Sequence, residues 1–186
     1  MKITFSNPVL PKAGVIVVGI LEGRKLSDSA KALDKEMSGG LVRAMKASRF
    51  KGLNGQILAL LAPGGTKLDR ILLVGLGKST AIDACKMQNL GGEVYGALST
   101  KGHAIVQLLV DPIENCKMQP FEMAAEVAFG ARLRSYRFDK YRTKEKIEAK
   151  PSLRNLKIIC KGSEKARTAF GPKNKVADGV FLTRDL

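Results

Sequence analysis

Apolar residues along this chain fall into short, nearly unbroken runs, separated by stretches where they recur every three or four positions. The runs are Val15–Leu21, Gln56–Ala62, Arg70–Leu76, Ala104–Val110 and Leu156–Cys160, and Ile3 and Phe5 mark a further short strand near the start. A strand that is apolar at consecutive positions has both faces covered. The intervening segments read as helices. Ser27–Leu33 and Gly40–Ser48 form a helical hairpin. Over Thr80–Leu98, the residues Ile82, Met87, Leu90, Val94 and Leu98 make one stripe. Gly91 and Gly92 interrupt it, each costing about 1 kcal/mol relative to alanine, and so mark a bend or a close helix contact. Pro120–Leu133 opens on proline at a favoured first-turn position and lines Phe121, Ala124, Val127, Ala128 and Ala131 along one face.

Strands alternating with helices predict an α/β fold, a mixed central sheet with helices on both faces. The link Pro63-Gly64-Gly65 joins two runs in hairpin fashion, so part of the sheet is expected to be antiparallel. Gly162–Lys175 is charged and rich in small residues. A helical pattern resumes over Val176–Leu186 with Val176, Val180 and Leu182, and no stop signal follows before Asp185-Leu186, as in a helix cut mid-course. The expected organisation is one domain over residues 1–160 and a linker helix over 161–186, which suits a chain of 186 residues.

Composition changes this picture in one respect. With 32 Lys and Arg against 17 Asp and Glu, the net charge is +15, which raises nucleic acid or another polyanion as a partner. Hydrophobic residues make up 45% and Trp is absent, so the core is built mostly from Leu, Ile, Val and Ala. Cys85, Cys116 and Cys160 show no paired or zinc-type spacing and read as reduced thiols of a cytoplasmic protein. No signal peptide is legible at the start, and the longest apolar run, Ala13–Leu21, is of strand length, so no membrane role is expected.

Two features invite chemistry. The turn Gly75-Leu76-Gly77-Lys78-Ser79-Thr80 lacks the third glycine of a dinucleotide fingerprint at Thr80, and Leu72 stands where a phosphate-binding loop needs glycine. Gly75, Gly77 and Lys78 still make a candidate anion-binding turn ahead of a helix, and a nucleotide such as ADP-ribose is the ligand to consider; the simpler reading is a tight turn. The second feature is the basic tract Arg132, Arg134, Arg137, Lys140, Arg142, Lys144 and Lys146, interleaved with Tyr136, Phe138 and Tyr141. Such a pattern can neutralise phosphates and stack bases in a DNA-binding module, or it can pack its aromatics on the domain and turn its arginines to solvent or carboxylates. His103 is the only histidine, and no carboxylates show the spacing of an acid–base pair or a metal cage.

Two stretches resemble the leucine (cytosol) aminopeptidase family. Gly130-Ala131-Arg132-Leu133-Arg134-Ser135-Tyr136-Arg137-Phe138-Asp139-Lys140-Tyr141-Arg142-Thr143-Lys144 is similar to the family's segment after the last helix of its N-terminal domain. Val176–Leu186 is similar to the helix leading into the catalytic domain, with Thr183 where alanine is commoner, and Ile71–Lys78 resembles the family's Val-Gly-Leu-Gly-Lys turn. The resemblance implies a non-catalytic N-terminal domain with a macro-domain-like, three-layer α/β fold and a C-terminal linker helix. It also implies a parent enzyme that removes N-terminal residues from peptides with two divalent metals, zinc or manganese, and assembles as a homo-hexamer through its catalytic domains. The family's metal-binding residues lie in that catalytic domain, so no catalytic or metal-binding residue, and no cofactor, is carried over to this chain. Some bacterial members also bind DNA.

Overall fold

The computed structural model describes residues 1–139, 146 and 149–186. Among these the elements, in chain order, are strands β1 (Lys2–Ser6), β2 (Ala13–Leu21) and β3 (Lys25–Leu26), helices α1 (Asp28–Glu36) and α2 (Gly40–Ala47), and strands β4 (Ile57–Leu61) and β5 (Lys67–Gly77). They are followed by α3 (Ala84–Leu98), β6 (Ile105–Val110), α4 (Pro120–Arg134), β7 (Asn155–Cys160) and α5 (Ser163–Asp185). One mixed sheet runs β1-β7-β6-β2-β5-β4, with β3 paired to the end of β2. All neighbours along it are parallel except β4, which runs antiparallel to β5 as the Pro63-Gly64-Gly65 link predicts.

The unbroken apolar runs are explained by the two cores they serve. Successive side chains of a strand point to opposite faces. Val15, Val17, Leu72, Val74 and Leu76 pack with α3, α4 and α5 on one face. Ile16, Val18, Ile20, Ile71 and Leu73 pack with Leu33, Leu41 and Met45 of α1 and α2 on the other.

Three helices depart from the sequence reading. The Thr80–Leu98 pattern is split: Ser79–Ala81 is a short 3-10 turn, and α3 starts at Ala84, where the Asp83 carboxylate accepts the Lys86 amide at 2.8 Å. Ile82 is buried ahead of the helix, which is how it joined the stripe. In α4, Met123, Ala125, Glu126 and Gly130 are buried in addition to the expected face, because α4 lies between α3, α5 and the sheet and has almost no outer side. Gly162–Lys175, charged and rich in small residues, is continuous with Val176–Asp185 in α5, a single helix that carries Pro172 inside it. An interior proline costs a helix about 3 kcal/mol. Packing offsets this: Ala166 and Ala177 are fully buried, and the Phe170 ring meets Phe5 of β1 at 5.7 Å between centroids.

Candidate functional site

In open α/β sheets, ligands bind beyond the carboxyl ends of the strands, where neighbouring strands send their helices to opposite faces. Here that point lies between β2, followed by α1, and β6, followed by α4. The structure closes it with its own side chains. Asp111, the residue after β6, puts its carboxylate on the first turn of α1, accepting the Ser29 amide at 3.0 Å and the Ser29 hydroxyl at 2.6 Å. An anion attracted to the start of α1 therefore meets a carboxylate already seated there. The cavity beside it, lined by Val17, Gly19, Val74, Leu76 and Leu108 among others, holds only about 30 Å³. That is room for a water molecule and not for a nucleotide.

The candidate anion turn has a different use for its glycines. The Gly75 amide donates to the Gln56 carbonyl at 2.8 Å, and the Gly77 amide donates to the Gly52 carbonyl at 2.9 Å. A Cβ on Gly75 would stand 1.9 Å from the Leu53 carbonyl oxygen, and Gly77 has φ +71°. Both glycines let the end of β5 press against the Gly52–Gln56 backbone. Lys78 follows with its side chain exposed.

The described part of the basic tract forms a seam between the ends of α4 and α5. Arg132 pairs with Asp178 at 3.1 Å and lies over the Phe181 ring at 4.7 Å. The Tyr136 hydroxyl donates to the Asp185 carboxylate at 2.8 Å, its ring meets Phe181 at 5.2 Å, and Arg184 covers it at 4.0 Å. Arg137 pairs with Asp139. Arg134 is exposed and opens onto a groove of about 620 Å³ shared with Gln88, Glu93, Tyr136 and Arg184. Partial burial pushes the Glu93 carboxyl above its ordinary range. Lys146 is exposed, and Lys140, Arg142 and Lys144 lie outside the described residues. The seam depends on contacts between residues more than forty positions apart, so spacing along the chain does not reveal it.

Among the described residues no three side chains of His, Cys, Asp or Glu converge as metal ligands. No helix among them is long and apolar enough to cross a membrane. The thiols differ in access: Cys85 is exposed, Cys116 half-buried and Cys160 buried. Burial pushes the Cys160 thiol up to about 11. At pH 8 a thiol reagent is expected to modify Cys85 first and Cys160 only on unfolding, followed by mass spectrometry. Native labelling of Cys160 at the rate of Cys85 contradicts its packing. Above an ordinary thiol value of 9.0 the unfolded chain loses a proton that the native chain keeps, so this group's contribution to stability declines as pH rises towards 11.

Comparison with known proteins places these features in a family. Residues 17–145 match the family described as "Cytosol aminopeptidase family, N-terminal domain". A probable cytosol aminopeptidase of Caulobacter vibrioides is 38% identical over 189 aligned positions, covering 100% of this chain and 37% of that protein. A probable cytosol aminopeptidase of Rhodopseudomonas palustris is 35% identical, with the same coverage of each. The chain thus spans 37% of the length of these curated relatives. Among solved structures, a tomato leucine aminopeptidase variant superposes with a TM-score of 0.82 at 23% identity, covering 100% of this chain and 37% of that one. The bottromycin maturation enzyme BotP in complex with Mn gives 0.65 at 22% identity, covering 92% and 31%. These structural likenesses establish the shared fold.

Proposed function

Given that the chain belongs to the cytosol aminopeptidase family and carries its N-terminal domain, we infer that it is the non-catalytic portion of a cytoplasmic, metal-dependent aminopeptidase that releases N-terminal residues from peptides. The observation that carries this reading is the family match over residues 17–145. Two divalent ions, zinc or manganese, would be held by the catalytic portion, where they polarise the scissile carbonyl and activate water. Assembly of the parent would be a homo-hexamer built on catalytic domains.

Within such an enzyme, residues 1–160 act as the accessory domain and 161–186 as the connection to the catalytic half. α5 suits that task mechanically. Its inner side packs on α4 and β1, with Ala166 and Ala177 buried, Phe170 against Phe5, and Phe181 against Arg132 and Tyr136, and its outer side presents Val176 and Leu182, 56% and 65% exposed. A catalytic domain stacked on that outer side would be held in a set orientation by a rigid rod. The basic tract is then part of the rod's anchorage through Arg132 and Tyr136.

The purified 186-residue chain, supplied with manganese or zinc, is expected to leave a leucine anilide unhydrolysed. Hydrolysis that depends on the added metal and is abolished by a chelator overturns the non-catalytic reading.

A further inference from the structure

Gly52–Thr66, between Lys51 and Lys67, is the longest stretch of this basic chain without a charged residue. The fold places its centre, β4, at the outer edge of the sheet. Edge strands ordinarily carry charge, proline or a bulge that discourages pairing with another chain. β4 has the sequence Ile57-Leu58-Ala59-Leu60-Leu61, with none of these.

The direction of its backbone groups follows from its pairing with β5. The Gly75 amide donates to the Gln56 carbonyl, and the Ala62 amide donates to the Asp69 carbonyl. Gln56 and Ala62 are therefore bonded towards β5, and alternation assigns Leu58 and Leu60 to the same side. Ile57, Ala59 and Leu61 consequently turn their amides and carbonyls to the free edge. Their side chains share one face and are all exposed, Ile57 at 40% and Leu61 at 66%, whereas Leu58 and Leu60 pack towards α1 and α2.

We propose that the β4 edge is a homodimer interface, in which β4 pairs antiparallel with β4 of a second copy about a two-fold axis through Ala59. In that register Ile57 lies opposite Leu61 of the second copy, and Ala59 lies opposite Ala59. Every outward amide and carbonyl of the strand then finds a partner. The exposed apolar side chains meet across the axis on one face, where directly opposed pairs stabilise a sheet. The patch is self-complementary, as a two-fold interface must be. Charge selects the same place. Two copies at +15 each repel wherever lysines and arginines face one another, and the Gly52–Thr66 segment itself brings no charged side chain to the contact, Arg70 lying one strand further in opposite Leu61. Self-association is therefore strengthened by added salt, the reverse of polyanion binding.

The test is light scattering on the 186-residue chain and its Ala59→Lys and Ala59→Glu variants, at low and high salt and over a range of concentrations. Ala59 is exposed, so both variants are expected to keep the wild-type circular dichroism and melting curve. The wild type should approach twice its monomer mass as concentration and salt rise. Each variant should stay monomeric, because like charges then face each other across the axis. An equal mixture of the two should recover the dimer, because only a two-fold through residue 59 sets lysine against glutamate. Leu182→Lys, on the outer side of α5 and at the opposite edge of the fold, should dimerise like the wild type. A wild type that stays monomeric throughout, a dimer that survives Ala59→Lys, or a mixture that stays monomeric overturns the proposal. So does a dimer lost through Leu182→Lys, which moves the interface to α5.

Discussion

Gly130→Ala is expected to lower the melting temperature by roughly 6–12 °C, the equivalent of about 3 kcal/mol in a domain of this size. α3 and α4 cross so closely that each uses a glycine to admit the other's backbone. A Cβ on Gly130 would stand 1.8 Å from the Gln88 carbonyl oxygen, and one on Gly91 would stand 2.0 Å from that of Val127. Both obstacles are main chain, so no side-chain rotation relieves them. The helices would have to separate, pulling Met87, Leu90 and Val94 away from Val127, Ala128 and Ala131. The neighbouring glycine of α3 supplies a control of opposite sign. A Cβ on Gly96 meets nothing within 4 Å, so Gly96→Ala should stabilise the helix by a few tenths to about 1 kcal/mol. Thermal denaturation of both variants decides the matter. A Gly130→Ala protein that melts with the wild type would show that the helices are not this close.

The second large effect is expected at Lys173. Glu126, on the packed side of α4, is only 9% exposed. Its carboxylate accepts from Lys173 Nζ at 2.7 Å and Gln88 Nε2 at 2.8 Å. Lys173→Met would leave a mostly buried carboxylate with one hydrogen bond. Removing a partner from a buried pair costs about 3–5 kcal/mol, and the surviving Gln88 contact and the partial exposure of Lys173 bring the expected loss below that range, to about 2–3 kcal/mol. Adding Glu126→Gln to Lys173→Met removes the stranded charge and should recover most of that loss, giving a clear coupling energy in a double-mutant cycle. Urea titration provides the readout. A Lys173→Met variant within about 0.5 kcal/mol of the wild type would mean that water, and not Lys173, satisfies Glu126.

How much of this was legible in the sequence depends on how local each signal was. The central strands declared themselves because a strand covered on both faces must be apolar at every position, as Val15–Ile20 and Ile71–Leu76 are. Gly91 stood for a bend or a close helix contact; the structure makes it the contact, and Gly130 completes the same crossing. The first half of α5 carries Gly171-Pro172 and many charges, which by themselves argue against a helix. What holds it helical is distant: Phe5 against Phe170 and Glu126 against Lys173. The start of α3 was misplaced because Ile82 is buried without being helical. At the candidate site, the glycine turn was visible, and the destination of its amides was not. Those amides end on Gly52 and Gln56, far along the chain. Nothing near Asp111 in the chain points to Ser29, and only the fold brings the two together.

The pairing of β1 with β7 sets the order in which this protein can be completed during synthesis. Lys2 lies opposite Asn155 and Ser6 opposite Ile159, so β1 is translated long before β7, its one neighbour among the described strands. At about 5–20 residues per second, it waits on the order of 10–30 s for that neighbour to be made. Throughout that interval β2, β5 and β6 can assemble with their helices, whereas β1, Phe5 included, remains outside the fold. β1 is thus laid into the sheet after β2, β5 and β6, although it is translated before them.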